Sequence, residues 1–143
     1  MLKGLNPLLG PELLKVLRAM GHGDEIAIVD GNYPADTDAK RLVRMDGHSA
    51  TDILDAILSV MPLDEMVPDS VFRPAAYLDP KRIEPVFNDF ERIIKKWEPK
   101  HHITALVGAD FYGRVKASYA VVASSEARLY GNIVLRKGVI HPK

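Results

Sequence analysis

The sequence predicts a three-layer α/β/α single domain over residues 1–143, with a mainly parallel central sheet. Three observations lead there. Short apolar runs, Glu25 to Val29 and Ile103 to Val107 foremost, are bounded by turn residues and too short for helices. Longer segments between such runs carry apolar residues at helical spacing. The two kinds of segment alternate along the chain, as they do where helices cover a parallel sheet.

Gly10-Pro11-Glu12 opens the first helix, since proline is pre-shaped for the first helical position and gives up an N–H that would be unpaired there anyway. Leu13, Leu14, Leu17 and Met20 share a face, and Gly21 stops the helix. Glu25 to Val29 is a buried strand, and Leu42 to Met45 a second short one. Ser49-Ala50-Thr51-Asp52 has the form of a capping box with Asp in place of Glu, starting a helix with Ile53, Leu54, Ile57 and Leu58 inside. Met61 to Ser70, with Pro62 and Pro68, is a loop. Val71 to Tyr77 is a strand that Pro74 should confine to an edge or a bulge. Asp79-Pro80 is expected to start a helix with the stripe Ile83, Val86, Phe87, Phe90, Ile94 and Trp97, interrupted by Pro85. The strand Ile103 to Val107, a short helix from Asp110 to Lys116 and the strand Tyr119 to Ala123 follow. Ser124-Ser125-Glu126 turns the chain toward the last strand, Asn132 to Arg136, closed by Gly138.

Composition narrows the function. Lys plus Arg and Asp plus Glu both number 19, and this balance argues against nucleic acid or an anionic membrane as partner. No cysteine is present, which excludes a disulfide framework, a thiolate zinc site and a cysteine nucleophile. Met1 to Pro7 lacks the apolar stretch of a signal peptide, and no run is long enough to span a bilayer. A cytoplasmic protein is expected. The P-loop spacing is absent at Gly108-Ala109-Asp110, and His101-His102 would point opposite ways in an extended segment, so neither a nucleotide nor a metal is called for.

Three places have the chemistry of a site. His22 stands between Gly21 and Gly23 where a helix gives way to a strand, and an imidazole gives and takes protons near neutrality. Its plain alternative is a histidine covering a helix end. Asp30 ends the strand, where ligands collect in open α/β sheets, though aspartate there also caps turns such as Gly31-Asn32. Tyr130-Gly131-Asn132 sets a phenol and an amide around a flexible glycine, or forms an ordinary turn.

Taken together these residues resemble the ribose pyranase / fucose mutarotase family, more closely its fucose branch. The resemblance is carried by Leu8-Leu9, Pro11 to Leu17 and Met20 to Ile26, and continues through Asp30, Tyr33-Pro34-Ala35, Arg44 and Asp46-Gly47. Toward the other end it rests on Phe111-Tyr112, Arg114, Tyr130-Gly131-Asn132-Ile133, Leu135 and Lys137-Gly138-Val139. From about Met61 to Ile103 only the pattern matches. The resemblance implies a cofactor-free, metal-free enzyme that interconverts anomers or ring forms of a free monosaccharide. His22 matches the catalytic histidine; Asp30, Tyr130, Gly131 and Asn132 match substrate-binding positions. It also implies a homo-oligomer, a decamer of stacked pentameric rings, in which the C-terminal tripeptide of one subunit completes the pocket around a neighbour's histidine.

One departure stands out. Where the family presents arginine (fucose branch) or histidine (ribose branch), this chain has Gly108, with Asp110 and His102 as the candidates to compensate. That loss motivates an alternative expectation, a non-catalytic sugar-binding protein accessory to uptake.

Overall fold

Every strand alternates its side chains between two faces, and the two faces of this sheet are covered unequally. The computed structural model describes residues 1–143. Its elements in order are α1 (Pro11–Ala19), β1 (Glu25–Val29), α2 (Ala35–Asp38), β2 (Leu42–Met45), α3 (Ala50–Leu58), β3 (Val71–Pro74), α4 (Pro85–Trp97), β4 (Thr104–Leu106), α5 (Ala109–Ala117), β5 (Ala120–Ser124) and β6 (Ile133–Arg136). A 3₁₀ turn, Ala76–Leu78, lies between β3 and α4. On one face Ile26 and Ile28 of β1 pack with α1, α3 and α4 in a core of 26 buried residues. On the other, Ala27 and Val29 meet only α5 and the short α2, in a cluster of 9.

The six strands lie in the order β2-β5-β1-β6-β3-β4. β6 alone is antiparallel to its neighbours, inserted between β1 and β3. Its register sets Arg136 opposite Glu25 and Ile133 opposite Ile28. The predicted three-layer, mainly parallel architecture is therefore present, with helices on both faces.

Most predicted elements stand within a residue or two of their expected bounds. The Ser49 cap forms, its hydroxyl accepting from the Asp52 N–H at 3.1 Å. Three expectations need correction. β3 is not an edge strand: it lies between β6 and β4, and Pro74 is tolerated because the pairing with β6 involves only Val71 and Phe72 and ends before it. The helix expected from Asp79-Pro80 begins at Pro85, which is its first residue rather than an interruption. Asp79 instead forms a turn, accepting from the Lys81 N–H at 2.9 Å. Ile83 thus falls outside the helix and is exposed, and Trp97 is partly exposed, donating its indole N–H to Asp55 at 2.7 Å. The one-turn α2 had no signal in the sequence.

Gly138 locks the C-terminal segment onto the loop before β3. Its N–H donates to the Pro62 carbonyl at 2.9 Å, and a Cβ there would run into the Leu63 carbonyl and approach the Asp64 Cα within 2.9 Å. Gly138→Ala should therefore destabilise the fold by about 1–3 kcal/mol, the usual range for overpacking. Urea unfolding checks this; an unchanged midpoint would show that the loop yields freely.

Candidate functional site

The carboxyl ends of β1 and β3 bracket the amino end of β6, and four of the predicted residues, Asp30, Tyr130, Gly131 and Asn132, gather at this crevice. Asp30 and Asn132 clasp one another: the Asn132 Oδ1 accepts from the Asp30 N–H at 2.8 Å, and its Nδ2 donates to Asp30 Oδ2 at 3.1 Å. Asp30 also bonds the Asn32 N–H at 2.9 Å, so the turn-capping role expected of it is real and coexists with the pairing. Both residues are buried. Burial raises the Asp30 pKa above the ordinary carboxylate value, although the bonds from Asn32 and Asn132 oppose the shift.

Tyr130 carries the strain in the tripeptide, with φ of +62°, in the left-handed region that tyrosine seldom adopts. Gly131 is needed for space rather than flexibility. A Cβ there would come within 2.6 Å of the Glu126 Cγ and 3.1 Å of the Arg128 carbonyl. The tripeptide so held directs Tyr130 and Asn132 to a cavity of about 220 Å³. That is below the range usual for drug-sized ligands and suits a small molecule. Tyr77 and Leu78, both at positive φ, and Tyr112 form much of the remaining wall. The Tyr77 and Tyr130 rings meet edge-on at 5.1 Å, and the Arg82 guanidinium lies 4.2 Å from the Tyr77 ring centroid. Tyr77 escaped the sequence reading, since it was placed at the end of a strand.

Gly108 also lines this cavity, as the residue before α5, with φ +52° and ψ −121°. A side chain there would be strained, so the local backbone is built for glycine. Neither proposed substitute replaces it simply. His102 precedes β4, at the opposite end of that strand, and bonds Asp69 at 2.6 Å. Asp110 is exposed in the first turn of α5.

His22 is elsewhere. It precedes β1, whereas Asp30 follows it, and the five strand residues alone separate the two by about 13 Å at the usual rise. The imidazole is 41% exposed, and its Nε2 lies 3.1 Å from Oδ1 of Asp64, whose side chain is 1% exposed. Asp64 Oδ2 accepts from Arg136 Nε at 2.8 Å. Arg136 in turn lies 3.8 Å from Glu25, which Arg114 grips with two bonds of 2.8 Å each. Arg114, part of the C-terminal motif, thus belongs to the fold at this end of the sheet. Burial acts to raise the Asp64 pKa, but Arg136, the Met66 N–H and His22 outweigh it and hold the carboxyl at about 2. Asp64 went unnoticed in a proline-bounded loop whose partners lie 42 and 72 residues away.

The chain thus offers two chemistries in two places: a buried carboxylate–amide pair beside a small cavity, and a partly exposed imidazole against a buried carboxylate. Among the described residues no group of three or more His, Cys, Asp or Glu is arranged to hold a metal ion. No helix is long and apolar enough to cross a membrane.

Known proteins resemble this chain over nearly its whole length. The model of the RbsD / FucU transport protein family matches residues 3–140. The L-fucose mutarotase of Haemophilus influenzae (strain 86-028NP) is 41% identical over 143 residues, covering 97% of each chain. The human fucose mutarotase is 39% identical over 149 residues, covering 97% of this chain and 94% of its own. The fucose mutarotase of Streptococcus pneumoniae, solved in complex with L-fucose, superposes with a TM-score of 0.90 at 39% identity, over 98% of this chain and 100% of that one. Fold and full-length similarity lead to one conclusion: the chain belongs to the RbsD / FucU family.

Proposed function

We propose that the protein is a monosaccharide mutarotase, interconverting the anomers of a free, fucose-like sugar at sites each completed by two chains. The observation that carries this reading is the Asp30–Asn132 clasp, whose Asn132 lines a small cavity, in a chain whose full-length relatives are named fucose mutarotases. Opening a cyclic hemiacetal removes the proton of the anomeric hydroxyl, breaks the bond from the anomeric carbon to the ring oxygen, and protonates that oxygen. Closure onto the other face reverses each step, so no atom is gained or lost. An imidazole working near its own pKa serves both directions, and His22 is the group we assign to it. Asp30 and Asn132 hold sugar hydroxyls; Asn132 can both donate and accept. Tyr130 walls the cavity and offers a hydroxyl for relaying a proton.

His22 and Asp30 stand at opposite ends of β1, farther apart than one sugar ring reaches. A site using both therefore draws His22 from one chain and the Asp30–Asn132 crevice from another. This supports a homo-oligomer, for which family resemblance implies a decamer of two stacked pentameric rings. Exposed Tyr77, Leu78, Val107, Tyr112 and Leu129 around the cavity and its tripeptide give a neighbour apolar surface to cover. Cytoplasmic residence belongs to the same proposal. An accessory binding role without catalysis, suggested by Gly108, is less well supported, because relatives matched over the whole chain are named for the catalytic activity.

His22→Asn should slow anomer exchange by about 10²–10⁴-fold, the usual worth of a positioned acid/base group, while sugar still binds. NMR exchange spectroscopy of L-fucose reads both quantities, and wild-type exchange in a folded variant would remove His22 from the reaction. Exchange should survive exhaustive chelation, since proton transfer alone opens the ring; loss on chelation with recovery on adding a divalent ion would contradict this.

Asn132→Ala should weaken sugar binding by roughly 0.5–1.5 kcal/mol for each hydrogen bond to sugar that is lost. Titration calorimetry checks it, with circular dichroism confirming the fold. The shared site has its own test. Dissociating inactive His22→Asn and Asp30→Asn assemblies and reassociating them together should restore exchange, because mixed assemblies contain sites with both native residues. No recovery from assemblies shown to be mixed would place the whole site within one chain.

A further inference from the structure

We propose that Asp64 is the positioning residue for His22, holding its Nε2 as a hydrogen-bond donor so that Nδ1 is the atom that exchanges a proton with the sugar. This rests on the acid/base role assigned to His22 above.

The argument begins with the carboxylate. Asp64 is fixed on every side: its N–H donates to the Arg136 carbonyl at 3.1 Å, and its own carbonyl accepts from Ser70 Oγ at 2.6 Å. Oδ2 accepts from Arg136 Nε at 2.8 Å and Oδ1 from the Met66 N–H at 3.0 Å. Both oxygens are thus partnered before His22 is counted, so the carboxylate does not need the imidazole. The imidazole gains from the contact instead. An ionised carboxylate only accepts, so the nitrogen 3.1 Å from it must be the one that bears hydrogen. The neutral ring then keeps its lone pair on Nδ1, the ring nitrogen that has no partner within the chain, on a side chain 41% exposed.

The turn that bears His22 is built for this contact. Asp24 Oδ2 accepts from the Gly21 N–H at 2.7 Å, and the Gly23 N–H donates to the Lys137 carbonyl at 2.9 Å. Gly23 sits at φ +86°, and a Cβ there would come within 3.0 Å of Arg136 Nη2. Glycine thus lets the turn lie against Arg136, which is what brings the ring to Asp64. The imidazole touches Asp64; Asp24 belongs to its own turn, and Lys137, whose carbonyl receives the Gly23 N–H, turns its ammonium to the Leu17 and Met20 carbonyls. Charges alternate as His22, Asp64, Arg136, Glu25, Arg114 along a single chain of contacts.

The test has one arm on the native protein and one on variants. In assembled wild-type protein labelled with ¹⁵N-histidine, two-bond proton–nitrogen correlations identify the tautomer; His22→Asn assigns the signal among the five histidines. The expected result is a neutral His22 protonated on Nε2; protonation on Nδ1 would overturn the proposal. Asp64→Asn should lower the maximal exchange rate about 10–100-fold, as loss of such an orienting partner typically does at comparable sites, with sugar affinity within twofold of wild type. Asp64→Glu, which restores a carboxylate, should recover part of the rate. In a His22→Asn background, Asp64→Asn should have no further effect. Unchanged exchange in folded Asp64→Asn would refute the positioning role, as would parallel loss of binding and exchange. If His22→Asn itself retained full exchange, the acid/base reading would fall first, and this one with it. If Asp64→Asn does not fold, the tautomer measurement decides alone.

Discussion

An antiparallel strand in an otherwise parallel sheet reverses which of its ends meets its neighbour's. β6 does this beside β1, and the register between them organises both ends of the molecule. With Ile133 opposite Ile28, the preceding Asn132 falls beside Asp30, where side-chain and backbone bonds close into the clasp at the cavity. With Arg136 opposite Glu25, the guanidinium falls among Asp64, Glu25 and the Gly23 turn. A slip of one residue would turn every side chain of β6 to the other face and dissolve both arrangements together. The core makes such a slip expensive, since Ile133 and Leu135 are packed in the larger apolar cluster and Val134 in the smaller.

The two ends differ in how they handle charge. At the crevice a carboxylate is buried beside a neutral amide, and its ionised form is disfavoured by burial. Around His22 a carboxylate is equally hidden but paired with arginine, and stays ionised across the working pH range. Removing Arg136 would take from the buried Asp64 its cationic partner on β6, whereas Arg136, 29% exposed and 3.8 Å from Glu25, is less dependent on Asp64. This explains why Arg136, a strand residue, and Asp64, a loop residue, serve the fold as well as the imidazole between solvent and carboxylate.

The sheet and most helices were legible because their signals are local. Apolar spacing marked α1, α3 and α4, and short bounded runs marked β1, β4 and β5. Proline misled twice, each time for want of context: Pro85 is harmless at a helix start, and Pro74 is harmless where the neighbouring ladder has ended. His22, Asp30 and the tripeptide were found because glycines and turns surround them and a family resemblance joined them. Their placement at the two ends of β1 was legible as well, since the strand occupies most of the seven positions between them. Asp64 and Tyr77 gave no such signal. Their partners are distant in sequence, and an acidic residue in a proline-bounded loop looks like solvated surface until the fold returns β6 beside it.

The central claim, that one chain's His22 serves another chain's Asp30–Asn132 crevice, is tested most directly by a crystal structure of the assembled protein with L-fucose. The account predicts sugar hydroxyls on Asp30 and Asn132 of one subunit, and a neighbouring subunit's His22 presenting Nδ1 within hydrogen-bond distance of the ring oxygen or the anomeric hydroxyl. A sugar bound in that crevice with no imidazole from any neighbour in reach would contradict it.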